Sequence, residues 1–272
     1  MDAKFQAAVA AVREGDLERF KALLAADPSL ATTRSSTSHP TLLQCVVLDS
    51  NDRPHTVEMA EALINAGAEL NEPFVATGSI DNRAVAELLL DHGAAINGTG
   101  GWSPLEEALY WNSKRVIALL LERGARVLNL RIAAGLGRTD LIESYFNADG
   151  SLKPEAGKID WPFSSKPIAQ SKQGKQYQQA MVDNAFVYAC LHGHIDAAQL
   201  LLDKGAEINA IPAGFDYAGT GLHYAALNGH RAMIEFLLAQ GADRQIKDIK
   251  VGSTAAGWAE HGAHKDLIAL LT

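Results

Sequence analysis

The chain has 272 residues, 47% of them hydrophobic, with a formal charge of −8 and an isoelectric point near 5.6. That apolar share supplies a core and excludes a disordered chain. The acidic balance, with no basic stretch denser than the three lysines from Lys166 to Lys175, leaves no footprint for a phosphate backbone and speaks against nucleic acid as a partner.

From the N-terminus, charges spaced through MDAKFQAAVAAVREGDLERF rule out a secretory signal. No apolar run approaches the roughly 18 residues of a membrane span. A cytoplasmic protein with no membrane partner is expected. One pattern then recurs along the chain. Its copies are 8-AVAAVREGDLERFKALLAAD-27, then 41-TLLQCVV-47 with 56-TVEMAEALINAGAELN-71, and 72-EPFVATGSIDNRAVAELLLDHGAAIN-97. The next are 103-SPLEEALYWNSKRVIALLLERGAR-126 and 129-NLRIAAGLGRTDLIESYFNAD-149. After a break come 188-YACLHGHIDAAQLLLDKGAEIN-209, 220-TGLHYAALNGHRAMIEFLLAQGAD-243 and 254-TAAGWAEHGAHKDLIALL-271. The 103 and 220 copies align without a gap, 117 residues apart. The 188 copy aligns on the 220 copy at 36 residues, and the 254 copy at 33.

Each copy reads as two short helices and a turn. Small residues such as Ala225 and Ala226 let the first helix sit close to its neighbours. Ile234, Leu237 and Leu238 recur at i, i+3 and i+4 in the second, giving a buried stripe, and a glycine follows to end the helix. Neither helix buries its apolar face alone, so units must stack.

The stretch Thr220-Gly221-Leu222-His223-Tyr224-Ala225 resembles the T-P-L-H-x-A opening of the ankyrin repeat, with Gly in place of Pro. Ser103-Pro104-Leu105 keeps the Pro but has Glu106 where His is expected. The resemblance runs over residues 5 to 271 apart from one insertion. The closing 252-GSTAAGWAEHG-262 is similar to that of bacterial ankyrin-repeat proteins with an internal insertion. It implies an all-α ankyrin-repeat solenoid of about eight helix-turn-helix units, the first and last acting as caps, with short β-hairpin turns. Repeats 1–5 would occupy 1–149, an insertion running into the next helix 150–183, and repeats 6–8 184–272, in one continuous solenoid. The short joints from Gly67 to Glu72 and from Gly124 to Leu128 are expected to lack the hairpin. Polar residues in the first unit and a short last helix suggest capped ends, hence a monomer.

Cys190, His192 and His194 lie within five residues, a spacing that raises a zinc site. The alignment argues otherwise. His194 and His230 share a column after a turn glycine, Cys190 falls on the packing residue Ala226, and residues i and i+2 do not face each other on a helix. The resemblance gives His194, His223 and His230 structural roles, with the His223 imidazole bonding an adjacent loop. Cys45 and Cys190, four units apart, lie far beyond the ~7 Å that a disulfide allows between Cα atoms. No metal and no cofactor are expected.

In ankyrin arrays the column two residues after the small pair faces the concave side. That column and its predecessor give Leu48-Asp49, Ser79-Ile80, Tyr110-Trp111, Gly135-Leu136, Leu191-His192, Leu227-Asn228 and Glu260-His261. Two aromatics at 110–111, with Trp102 beside them, either mark an anchor patch for a partner or pack under the neighbouring loop or insertion; the anchor reading is preferred. The expected partner-binding residues are Trp102, Tyr110, Trp111, Leu136, His192, Tyr217, Asn228 and His261. In the insertion, 150–170 reads as an ordered loop, 172–190 as a lengthened first helix, and Trp161-Pro162-Phe163 as a plug against the stack or part of a binding wall. Phe215 and Tyr217 are expected to line the same groove.

No G-x-S-x-G, P-loop or H-E-x-x-H signature occurs, so no catalytic residue is named and no enzyme is expected. The reading is a non-catalytic module that binds a protein partner, not identified by the sequence, on its concave face. The alternative is a small-molecule or enzymatic pocket between that face and the 150–183 insertion, where Asp216, His192, Asn228 and His261 would converge.

Overall fold

The computed structural model describes residues 3–36, 39–49, 53–158 and 175–272, the Lys175 side chain excepted. The chain divides into two compact units, residues 1–126 and 127–272. Among the described residues the structure is helical and contains no named strand, only isolated bridges between Arg34 and Thr41, Phe146 and Leu152, and Lys247 and Thr254. No bridge falls in the joints at Gly67–Glu72 or Gly124–Leu128 among these residues.

In the first unit the helices pair in chain order. They are α1 (Ala3–Glu14) with α2 (Leu17–Ala26), α3 (Leu42–Asp49) with α4 (Thr56–Asn65), α5 (Asn71–Ala76) with α6 (Arg83–Asp91), and α7 (Pro104–Tyr110) with α8 (Lys114–Glu122). First helices pack in succession, α1 on α3, α3 on α5 and α5 on α7, while α2, α4, α6 and α8 form a second row. The second unit has α9 (Leu130–Gly135) with α10 (Thr139–Ser144), α11 (Lys175–His192) with α12 (Ile195–Asp203), α13 (Gly221–Leu227) with α14 (Arg231–Ala239), and α15 (Ala255–His261) with α16 (Ile268–Leu271). Here α9, α11, α13 and α15 pack in succession. The lengthened helix expected over 172–190 is α11. Its stated first residues, the 159–170 part of the loop and Trp161-Pro162-Phe163 lie outside the described residues.

One backbone feature marks every pair. The turn between the two helices holds a residue with positive φ: Gly15, His55, Asp81, Asn112, Gly137, Gly193, Gly229 and Ala263. Glycine adopts this conformation without a Cβ penalty. At Gly193 it also leaves room, because a Cβ there would lie 3.0 Å from the His230 ring. His230 Nε2 in turn bonds the Leu191 carbonyl at 2.9 Å, and His194 bonds that of Gly135. The histidine of one turn therefore rests on the turn before it.

This column corrects the alignment of the last copy. Thr220 and Thr254 both sit at helix N-caps, and Gly229 and Ala263 both have positive φ. The offset is 34 residues, not 33. Gly262 thus takes the place that Asn228 holds before the turn, and His261 falls one position short of the column expected for it.

A second device ties the joints. Asn71 Oδ1 accepts from Ala95 N at 2.9 Å, Asn97 Oδ1 from Arg126 N at 2.8 Å, and Asn209 Oδ1 from Asp243 N at 2.8 Å. Each asparagine lies four residues after a joint glycine and clips the amide two residues after the next one. Asp183 on α11 does the same for Glu207 N. Such bonds satisfy joint amides that lie outside any helical ladder.

The apolar stripes are as the period requires, with one shift. Met233, Ile234 and Leu237 of α14 are buried, as are Ala197, Ala198 and Leu201 of α12. The following leucines, Leu238 and Leu202, are only partly covered and Leu121 is exposed. At about 100° per residue, the leucine at the edge of the stripe turns away from the core. Each buried leucine contributes about 1.5–3 kcal/mol.

The Gly221 departure from Pro has a steric cause. A Cβ there would lie 2.7 Å from Cys190 Sγ and 3.1 Å from the Phe186 ring, so α13 starts against α11 with no space for a side chain. Cys45 and Cys190 are both free and buried. Burial, with Asp49 nearby, pushes the Cys45 thiol up to about 11, and burial raises Cys190, which favours the thiol over the thiolate at neutral pH.

Candidate functional site

The site builds on α7. Ser103 caps its start: Ser103 Oγ accepts from Glu106 N, and the Glu106 carboxylate accepts from Ser103 N at 2.9 Å. This capping box explains the departure from T-P-L-H. In α13 the same position is His223, whose Nδ1 accepts from Thr220 N at 3.2 Å. Nδ1 is therefore the bare nitrogen, and Nε2–H donates to the Ser253 carbonyl at 3.1 Å. Burial lowers the His223 pKa, which favours the neutral ring that this pattern needs. The His223 role is as the resemblance implied.

One residue beyond the capping glutamate lies Glu107, which the sequence reading did not single out. Its side chain is buried (1% exposed). Oε1 accepts from Ser79 Oγ at 2.5 Å and from Trp111 Nε1 at 2.9 Å, and Oε2 accepts from Trp102 Nε1 at 2.6 Å. Glu107 and Trp111 are neighbours on the helix surface at i, i+4. Burial pushes the Glu107 carboxyl above the ordinary carboxylate range, against the pull of its three hydrogen bonds. Each of these donors is neutral, so among the described residues no cation is bonded to this buried acid. A signal existed in the sequence: an acidic residue in a helix otherwise destined for the core, with tryptophans five before and four after.

Of the three aromatics expected to form an exposed patch, one does not. Tyr110 is buried at 7% exposure, because the residue before the turn's exit still faces the stack. Its ring meets Trp111 edge to face, centroids 5.0 Å apart at 82°. Trp102 is half-buried. Trp111 is 43% exposed and is held by the Tyr110 ring and by its hydrogen bond to Glu107.

Leu136, His192, Tyr217, Asn228 and His261 all belong to the second unit. Leu136, His192 and Asn228 each precede a positive-φ glycine and are half-buried. The His192 ring stacks on His194 at 6.2 Å, and Asn228 Nδ2 donates to Tyr224 O. His261 is exposed. Among the described residues no group of His, Cys, Asp or Glu is arranged to hold a metal. Phe215, expected to line a groove, is buried between Tyr188 and Tyr224.

Tyr217 is 44% exposed with the Lys250 ammonium 4.0 Å above its ring. Lys250 also pairs with Asp216 at 2.7 Å. Beside it stand Ile249 and Val251, 74% and 66% exposed, two residues that the sequence reading missed. They ride on a loop built by Asp248: Oδ1 accepts from Lys250 N and Val251 N, and Oδ2 from Ser253 N and Trp258 Nε1.

A surface depression in the second unit, enclosing about 10 Å3, is lined by Leu130, Arg131, Ala156, Lys158, Met181 and Asn184, room for about one water-sized group. His192, Tyr217, Asn228 and His261 do not line it. No helix among the described residues is long and apolar enough to cross a membrane.

Residues 186–238 match the family described as ankyrin repeats (many copies). The chain is 32% identical over 104 residues to the Ankyrin repeat and LEM domain-containing protein 1 homolog of Caenorhabditis elegans, covering 38% of this chain and 14% of that protein. It is 39% identical over 61 residues to the Ankyrin repeat and KH domain-containing protein mask of Drosophila melanogaster, covering 22% of this chain and 2% of that one. The chain thus spans a small fraction of either relative, and both relatives are animal rather than bacterial proteins.

Proposed function

We propose that this ankyrin-repeat protein is a non-catalytic binding module that takes a protein partner on the concave face of an array of about eight repeats, with Trp111 as its chief anchor. Ankyrin repeats generally serve protein–protein interaction. The observation that carries the reading is an indole 43% exposed yet fixed by a hydrogen bond to a buried carboxylate. An aromatic side chain already immobilised loses little entropy on binding, which is what makes an anchor efficient. Trp102 supports it on the same carboxylate, and Tyr110 acts as packing. Leu136, His192, Asn228, Tyr217 and His261 are subsidiary contacts in this reading. The alternative is a small-molecule or enzymatic pocket between that face and the 150–183 insertion, of which residues 159–174 lie outside the described ones.

Affinity capture from native lysate with wild type and Trp111→Ala tests the proposal. A partner retained by wild type should bind the variant about 2 kcal/mol more weakly. Equal retention of every captured protein would overturn it.

A further inference from the structure

We propose that the exposed face of Trp111 is a binding site for a cationic side chain, the guanidinium or alkylammonium of an arginine or lysine on the partner, with Glu107 as its buried counter-charge. The inference deepens the binding reading above and rests on it for the identity of the ligand's carrier.

Three observations lead there. Glu107 is buried, and all three of its hydrogen-bond donors, Ser79, Trp102 and Trp111, are neutral. A buried carboxylate without an opposite charge is costly, and supplying one favours the bound state. The roof over that carboxylate is an indole, the aromatic ring that attracts cations most strongly through its face. Both indole N–H groups donate to the acid, so Trp111 is held with its most positive edge atom on Glu107 while 43% of the residue stays exposed.

The second unit shows the same three parts assembled. Lys250 lies 4.0 Å over the Tyr217 ring and 2.7 Å from Asp216: an aromatic face, a carboxylate, and a cation supplied by the chain itself. Among the described residues the cations placed over rings are Lys250 over Tyr217 and Lys204 over Phe146. At Trp111 the aromatic face and the carboxylate are present and the cation is left for a partner. The chain's net charge of −8 favours approach of a basic segment over long range.

The test uses N-acetyl-arginine methylamide and N-acetyl-lysine methylamide as probes, with the neutral, shape-matched N-acetyl-citrulline methylamide as control. They are titrated into the full chain while the tryptophan indole N–H resonances are followed by NMR at constant ionic strength. The arginine or lysine probe should shift the Trp102 and Trp111 resonances saturably while leaving Trp258, held by Asp248, in place. Citrulline should not. Trp111→Leu should abolish the response, and Trp111→Phe should retain a weaker one, since the π face survives. Glu107→Gln should weaken binding about ten-fold, as expected when a ligand charge loses its buried counterpart, with an unmoved Trp258 resonance reporting an intact fold.

An equal response to citrulline, an undiminished response in Glu107→Gln, or unmoved indoles with either cation would each overturn the cation site. The two readings fail separately. Loss of a captured partner in Trp111→Ala with indoles silent to arginine and lysine would leave the binding module and remove the cation site. Saturable arginine binding with unchanged capture would do the reverse.

Discussion

Each unit contains a buried carboxylate that accepts from tryptophan indoles, and the two behave in opposite ways. Asp248 takes three backbone N–H groups as well as Trp258. Burial alone would raise it, but those bonds outweigh burial and hold it below the ordinary range. Glu107 takes two indoles and a serine hydroxyl, no backbone amide, and burial wins. The lesson is geometric. A turn can aim successive amides at one short side chain, whereas a helix interior spends its amides on its own ladder and offers only side chains. Asp248 therefore builds a loop, and Glu107 is left as a buried acid beside an exposed ring.

The largest expected effect comes from removing the first of these. Asp248→Ala strips the acceptor from three backbone amides and the Trp258 indole, and should cost about 3–4 kcal/mol in chemical denaturation, since each hydrogen bond to a charged group contributes about 1.5–3. A loss under about 1 kcal/mol would mean that water replaces the carboxylate and the contrast is overstated.

A second experiment compares the pH dependence of the two acids. Glu107 has a folded value above 4.5, so its contribution to stability is complete below 4.5 and is lost as pH rises through the raised value. Asp248 has a folded value below 3.8, so its contribution is present above 3.8 and is lost as pH falls. Glu107→Gln should remove the first slope, costing about 1–2 kcal/mol because its amide NH2 then faces the Trp102 indole N–H. Asp248→Asn should remove the acid-side slope. Denaturation midpoints from pH 3 to 7 for both variants decide it, and matching slopes in the two would break the comparison.

The smallest effects separate the indoles. Trp258→Phe removes a buried donor from Asp248 and should cost about 1–1.5 kcal/mol, near the value of one net hydrogen bond. Trp111→Phe removes a half-exposed donor and should cost about 0.5 kcal/mol, leaving stability nearly unchanged while still testing the anchor.

Much of this was legible beforehand. The recurring glycines, alanine pairs and leucine stripes predicted the helix pairs, because periodicity of 3.6 with a stop glycine admits few other structures. His223 and His230 were assigned to structure by their column, and both bond backbone as that implies. What failed was register at one-residue resolution. His261 and Tyr110 were placed by counting from small pairs, whereas the left-handed turn residue is the true ruler and can be Asp81, Asn112 or Ala263 as well as glycine. Glu107 was passed over because a glutamate on a helix reads as solvated until its neighbours are known.

The sequence by itself determined the repeating unit, the pairing of helices and the absence of long apolar runs, all of which depend on spacing along one segment. Only the tertiary structure decided that Trp102, Ser79 and Trp111 meet on Glu107, that Tyr110 faces inward, and that Ile249 and Val251 stand out on a loop. Those facts depend on distances between segments up to 32 residues apart and on which groups desolvate one another. Local periodicity carries no information about either.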